Sequence, residues 1–191
     1  MVVKKLISAA GAGLFLSAVA GLAPAAAQQP QSLASDSAFI ARAASGGLLQ
    51  VKLGKLAETK GSSTSVVEFG KRMVTDYSKA NEELKAAAKA TGFLAPVLLR
   101  QDQQIFDRFN AMGRSSFDKK YMAQMVKQHH EEVRLFQGES SGGRVQLLKQ
   151  LATRMLPDLQ QRLTLATQTA GAVGADVTAS ASSAGDASGA N

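Results

Sequence analysis

The sequence predicts an all-α protein built from four long helices and one short one. Three observations carry this. From about residue 35 to 170 the apolar residues recur at helical spacing, and no stretch alternates as a strand does. Glycines at Gly61, Gly92, Gly113 and Gly142-Gly143 interrupt that period. Four of the segments between breaks are about 25 residues long, roughly 35–40 Å at 1.5 Å per residue.

Residues 1–27 read as an address rather than as part of the fold. Lys4 and Lys5 precede an uncharged Leu/Ala/Val-rich run, and Pro24 leads into Ala25-Ala26-Ala27. This is the pattern of a secretory signal peptide cleaved near Ala27, which places the mature protein in the periplasm or outside the cell. Residues 28–34 read as a linker, and 35–170 as the helical domain.

The first helix is expected over about 35–60, capped by Ser35 or Asp36, with the stripe Phe39, Ala43, Gly46, Gln50, Leu53, Ala57. The second spans about 63–91, from a Ser62/Ser63 cap to Gly92, with Phe69, Met73, Tyr77, Ala80, Leu84 and Ala87 inward. A connection containing Pro96 leads to a short helix over about 100–112. The next long helix spans about 115–138. Ser115-x-x-Asp118 resembles a capping box, and Phe117, Tyr121, Met125, His129, Val133 and Phe136 form its stripe. The last helix spans about 144–169, with Leu148, Leu151, Met155, Leu159, Arg162 and Ala166 on one face and Pro157 inside the pattern. Gly46, Gly47, Gly54 and Gly70 lower helix propensity and are expected to let helices approach closely. Residues 171–191, rich in Gly, Ala and Ser, read as a disordered tail.

Two hairpins joined by one longer connection that carries the short helix describe a ferritin-like four-helix bundle. The bundle is expected to be a monomer or weak oligomer.

Composition excludes several chemistries. There is no Cys, so there is no disulfide framework, zinc knuckle, iron–sulfur site or thiol nucleophile. The 22 basic against 15 acidic residues give a formal +7, but the charge is spread over all helices. Nucleic acid is therefore not an expected partner. Lys120, Lys127 and Arg134 share one helix face and suit an anionic envelope polymer or membrane surface. Gly138-Glu139-Ser140-Ser141-Gly142 matches a nucleophile-elbow spacing, but it falls in an expected helix-to-helix loop with no strand before it.

A di-iron carboxylate bundle uses inward Glu residues and two Glu-x-x-His motifs. The only histidines here are His129 and His130, and Val126 and Lys127 stand three residues before them. That pattern is absent. His129 lies on the apolar stripe and His130 beside it.

The segments FGKRMVTDYSKANEELKAAAK, FDKKYMAQMVKQHHEEV and LPDLQQRLTLA, in this order behind a signal peptide, resemble the exported bacterial family called domain of unknown function 4142. The resemblance covers about residues 37–169. It implies a ferritin-like bundle and brings no established activity. It also implies an interior polar or metal cluster from which this chain departs. The family has Glu where Gln50 stands, His where Tyr77 stands, and His where Arg162 stands; Asp76, Phe117-Asp118 and His129 match. A guanidinium cannot ligate a metal ion and repels one. Gln50, Tyr77, His129 and Arg162 are therefore expected to form a hydrogen-bonded polar layer, with Asp76 supplying a carboxylate to Arg162. Asp118 is expected to cap a helix.

The expected function is non-enzymatic: an envelope- or stress-associated binding or structural protein without a cofactor. One alternative is a metal-binding or redox bundle holding iron or another transition metal at His129 and Asp76, with Tyr77 as an ionised third ligand. The other is a binder of anionic membrane surfaces.

Overall fold

A computed structural model describes residues 29–93 and 97–178, with side chains from residue 35 onward. The signal-peptide reading of residues 1–27 and most of the expected tail, 179–191, lie outside the described residues.

The described chain is all-α: α1 Gln29–Lys60, α2 Thr64–Thr91, α3 Arg100–Ala111, α4 Phe117–Gly142 and α5 Gln146–Ala172, with a 3₁₀ turn at Arg114–Ser116 before α4. The four long helices form the bundle. α1 packs on α2 and α4 on α5; α1 also meets α4, and α2 meets α5. The start of α1 lies at the start of α5, and the start of α4 at the start of α2. Neighbouring long helices are therefore all antiparallel, and α3 carries the chain back along the bundle between α2 and α4.

Polar contacts seat α3 on α1. The Leu99 N–H donates to Ser45 Oγ at 2.8 Å, and the Ser45 hydroxyl donates to the buried Asp102. At the other end of α3, Lys60 Nζ donates to the Asn110 and Met112 carbonyls at 2.5 and 3.0 Å. A cation on carbonyls that lack helical partners suits a helix C-terminus.

The start of α1 and the caps of the helices depart most from expectation. Residues 29–34 are not a linker but the first turns of α1. Pro30 falls in the first turn, where its fixed φ and missing N–H carry no penalty. Asp36 is therefore well inside α1 and does not cap it. It caps α5 instead: its carboxylate accepts the Arg144 N–H at 3.1 Å and the Val145 N–H at 2.9 Å. Asp118 does the same for α2, accepting the Ser62 N–H at 3.1 Å and the Ser63 N–H at 2.7 Å. Ser115 and Asp118 thus form no local capping box, and Ser63 makes no side-chain cap. Each hairpin's leading helix caps the trailing helix of the other hairpin, which ties the two hairpins at both ends.

Three further expectations are corrected. The segment Gly138 to Gly142 is the end of α4, not a loop, and Ser140 Oγ donates back to the Gln137 carbonyl at 2.9 Å. The chain is not free from residue 171: α5 runs to Ala172, Gly174 takes φ 63°, and the Ala175 N–H returns to the Ala170 carbonyl at 2.9 Å. This is a glycine C-terminal closure, and Val173, Ala175 and Val177 pack against the core. Close approach of α1 and α2 rests on Gly54 and Gly70, since a Cβ on either would stand 2.8 Å from the other's carbonyl oxygen. Gly46 plays no such part; a Cβ there would meet nothing within 4 Å.

Candidate functional site: a polar centre between two apolar clusters

The core is divided along the bundle axis. One apolar cluster gathers around Leu53, Phe69, Met73, Phe117, Tyr121 and Met125, the other around Phe39, Leu84, Val133, Phe136, Leu148 and Leu159. Gln50, Tyr77, His129 and Arg162 stand where the two meet, one per long helix, and all four are buried. On α4, His129 lies between Val126 of the first cluster and Val133 of the second; on α5, Arg162 lies between Leu159 and Ala166. The helical period that builds the core therefore delivers one polar side chain per helix to one level.

Three of the four touch. The Arg162 guanidinium carbon lies 4.9 Å from the centre of the Tyr77 ring, and the Tyr77 and His129 rings meet edge-to-face at 6.0 Å. Both contacts suit the charge distribution of an aromatic ring. The Arg162 Nε–H donates to Asp76 Oδ2 at 3.4 Å, and Arg72 reaches the same oxygen from one turn back on α2, also at 3.4 Å. Gln50 lies apart from these three contacts; its Nε2 donates to Gln128 Oε1 at 3.4 Å.

Tyr77 reaches a residue that the sequence reading passed over. Its hydroxyl donates to Glu132 on α4. Glu132 stands beside Glu131 in the sequence, but it follows His129 by three residues and so returns to the same face. Gln128 precedes His129 and lines the same side.

Burial sets the protonation states. It pushes Glu132 up to about 7, against the pull of the Tyr77 hydroxyl and of Arg162. It raises Tyr77 well above the usual phenol value, and the neighbouring Glu132 adds to this. It lowers His129 to about 4, assisted by Arg162 and His130. His129 is thus neutral at pH 7. Its Nδ1 lies 2.8 Å from the Met125 carbonyl, which can only accept, so Nδ1 carries the proton and Nε2 a lone pair. His129 Nε2, Arg162 Nη1 and Gln50 Oε1 have no hydrogen-bond partner.

Two clefts open onto this centre. One, between α2 and α5, is lined by Asp76 and Arg162 with Lys79, Glu83, Arg154 and Asp158. The other, between α1, α3 and α4, is lined by Gln50, Gln128, Glu131, Glu132 and Asp102. Lys120, Lys127 and Arg134 stand on the outer face of α4, where Lys127 reaches Glu131 at 4.0 Å. Among the described residues no three His, Cys, Asp or Glu converge to hold a metal ion, and no helix is long and apolar enough to cross a membrane.

Fold and site together define an all-α helical-bundle protein with a polar centre buried across its long helices. The family model described as "Domain of unknown function (DUF4142)" matches residues 21–169, and the chain belongs to this family. No curated protein and no solved structure matches it.

Proposed function

We propose that the protein is an exported, ferritin-like bundle that acts without catalysis, as a binding or structural protein of the cell envelope. The observation that carries this reading is that the carboxylates around the polar centre, Asp76 and Glu132, are already taken by neighbouring side chains. Asp76, the carboxylate nearest the centre on α2, is held by Arg162 and Arg72. Tyr77 spends its hydroxyl proton on Glu132 and stays a phenol. A metal ion at His129 would sit beside a guanidinium that cannot leave its charge. Zinc and iron sites draw on three or four N, O or S ligands, and His129 with Asp76 offers two.

A second reading rests on one atom. His129 Nε2 bears an unpartnered lone pair while Nδ1–H is fixed by a carbonyl, the tautomer that a ligating histidine uses. Elemental analysis after equilibration with iron, zinc, manganese and copper and thorough desalting separates the two. The first reading expects well under one metal per chain in the wild type. A stoichiometric metal lost in His129→Ala overturns it in favour of the second.

A further inference from the structure

We propose that the buried carboxyls of Asp36 and Glu139 form a proton-dependent latch. It holds the end of the bundle where α1, α4 and α5 meet while the pair shares one proton, and frees that end when the proton leaves. Asp36 of α1 is fully buried, and its carboxylate accepts the Arg144 and Val145 N–H groups at the start of α5. Glu139, in the last turns of α4, is 5% exposed, and its side chain shares a hydrogen bond with that of Asp36. Its Oε1 has no other partner. The pair lies over the end of the second apolar cluster. Phe39 follows Asp36 by one turn, Phe136 precedes Glu139 by one turn, and their rings meet edge-to-face at 5.0 Å.

Two carboxylates have no proton to share, so one member of the pair must be the acid. Backbone donors decide which. Asp36 accepts two N–H groups at a helix N-terminus, and both the bonds and the helix dipole favour its ionised form. Glu139 therefore holds the proton, and its hydroxyl donates to Asp36. When that proton passes to solvent, the hydrogen bond is lost and two like charges are left in contact, away from water. The turn beside them yields. Gly143 follows α4 and lies against the carboxyl: a Cβ there would stand 2.3 Å from Glu139 Oε1. An ionised Glu139 leaves this seat for water, the α4–α5 turn moves with it, and the Arg144 and Val145 N–H groups part from Asp36.

The groups around Glu139 set where the latch opens. Asp36 faces it from α1 and Lys149 from α5, and the cleft beside it is lined by Arg42 of α1 and Arg134 of its own helix. Burial and Asp36 together outweigh Lys149 and push Glu139 up to about 7. A value raised on folding contributes stability that is full below about pH 4.5 and is lost as pH rises through 7. The latch is shut in mildly acidic water and loosens in mildly alkaline water. The opposite end of the bundle lacks it. Asp118 caps α2 there in the same way, through the Ser62 and Ser63 N–H groups. The remaining acid among the buried described residues, Asp102, is held by Ser45.

This inference goes beyond the binding role and does not rest on it. The test is solvent exchange of the backbone amides, measured by NMR at pH 6, 7 and 8 and expressed as protection relative to the intrinsic rate at each pH. In the wild type, protection of Arg144 and Val145 is expected to fall about 10-fold from pH 6 to pH 8. That is the change for one carboxyl whose value returns from about 7 to the ordinary 4.5 on opening. Ser62 and Ser63, under the Asp118 cap, are expected to fall less. Glu139→Gln keeps an N–H donor for Asp36 and removes the titration, so its protection at Arg144 and Val145 follows that of Ser62 and Ser63. Wild-type protection that stays constant from pH 6 to pH 8, an equal fall at Ser62 and Ser63, or an undiminished fall in folded Glu139→Gln overturns the proposal. The first two results come from the wild type alone, so the test stands whether or not the variant folds.

Discussion

The two faces of the polar centre begin from similar residues and end differently. On the α2/α5 face a carboxylate, Asp76, meets a buried guanidinium, and a second arginine closes over it. On the α1/α4 face a carboxylate, Glu132, accepts a neutral phenol hydroxyl and takes a weaker pull from Arg162, and the Gln50 amide keeps an oxygen without a hydrogen-bond partner. The first face satisfies its charge internally. On the second, burial outweighs the pull of the Tyr77 hydroxyl and of Arg162 and drives the carboxyl toward the protonated form. The placement of one arginine separates an ion-paired carboxylate from one that burial drives toward the neutral acid.

The largest expected effect breaks the closed face. Asp76→Ala leaves Arg162 buried without its counterion, and removing one partner of a buried pair is strongly destabilising. Because Asp76 is partly exposed, a loss of about 3 kcal/mol, at the low end for such pairs, is expected in urea unfolding at pH 7. An equal loss in Glu132→Gln would erase the contrast between the faces.

The open face responds in the opposite sense. The Glu132 value is raised on folding, so its stabilisation is fully present below about pH 4.5 and is lost as pH rises through about 7. Glu139 behaves alike: burial and the neighbouring Asp36 carboxyl push it up to about 7. Glu132→Gln keeps an acceptor for Tyr77 and removes the titration. At pH 8 it is expected to be more stable than the wild type by about 1–3 kcal/mol. Across pH 5–8 the wild type should lose stability, Glu132→Gln lose less, and Glu132→Gln/Glu139→Gln lose least, as read from thermal unfolding. His129 acts in the reverse direction, its contribution being lost as pH falls from 6.5 through about 4. His129→Leu should therefore unfold at lower pH than the wild type in an acid titration followed by circular dichroism.

The smallest expected effect sharpens the account of Gln50. Replacing a buried amide whose oxygen has no partner by an apolar group of similar size is nearly neutral. Gln50→Leu should change stability by less than about 1 kcal/mol in urea unfolding. A large loss of stability would show that Gln50 is a structural member of the core.

The fold was legible where local signals decide it. Apolar periodicity placed all five helices, and Gly61 and Gly92 marked real ends; Gly92 takes φ 72° at the end of α2. From α2 onward the helix starts were legible to within about two residues, but their caps were not, because the capping carboxylates come from across the bundle. Asp118 lies 55 residues from Ser63, and Asp36 lies 108 from Arg144. No window centred on the start of the helix that each one caps contains it. In the polar centre, Gln50, Tyr77, His129 and Arg162 were legible as polar residues on apolar stripes. Glu132 was not. It sits beside Glu131 in a charged run, and only its hydrogen bond to a tyrosine on α2 distinguishes it. The packing of Val173, Ala175 and Val177 was hidden by the small residues around them, whose composition resembles that of a chain without a core.

The most direct test of the difference between the two faces is the titration of the Glu132 side-chain carboxyl by carbon-13 NMR. A midpoint near pH 7, moving higher in Tyr77→Phe as the donated hydrogen bond is lost, is the predicted result. A midpoint near 4.5, unchanged in Tyr77→Phe, would show a solvated carboxylate with no tie to Tyr77, and would contradict the account.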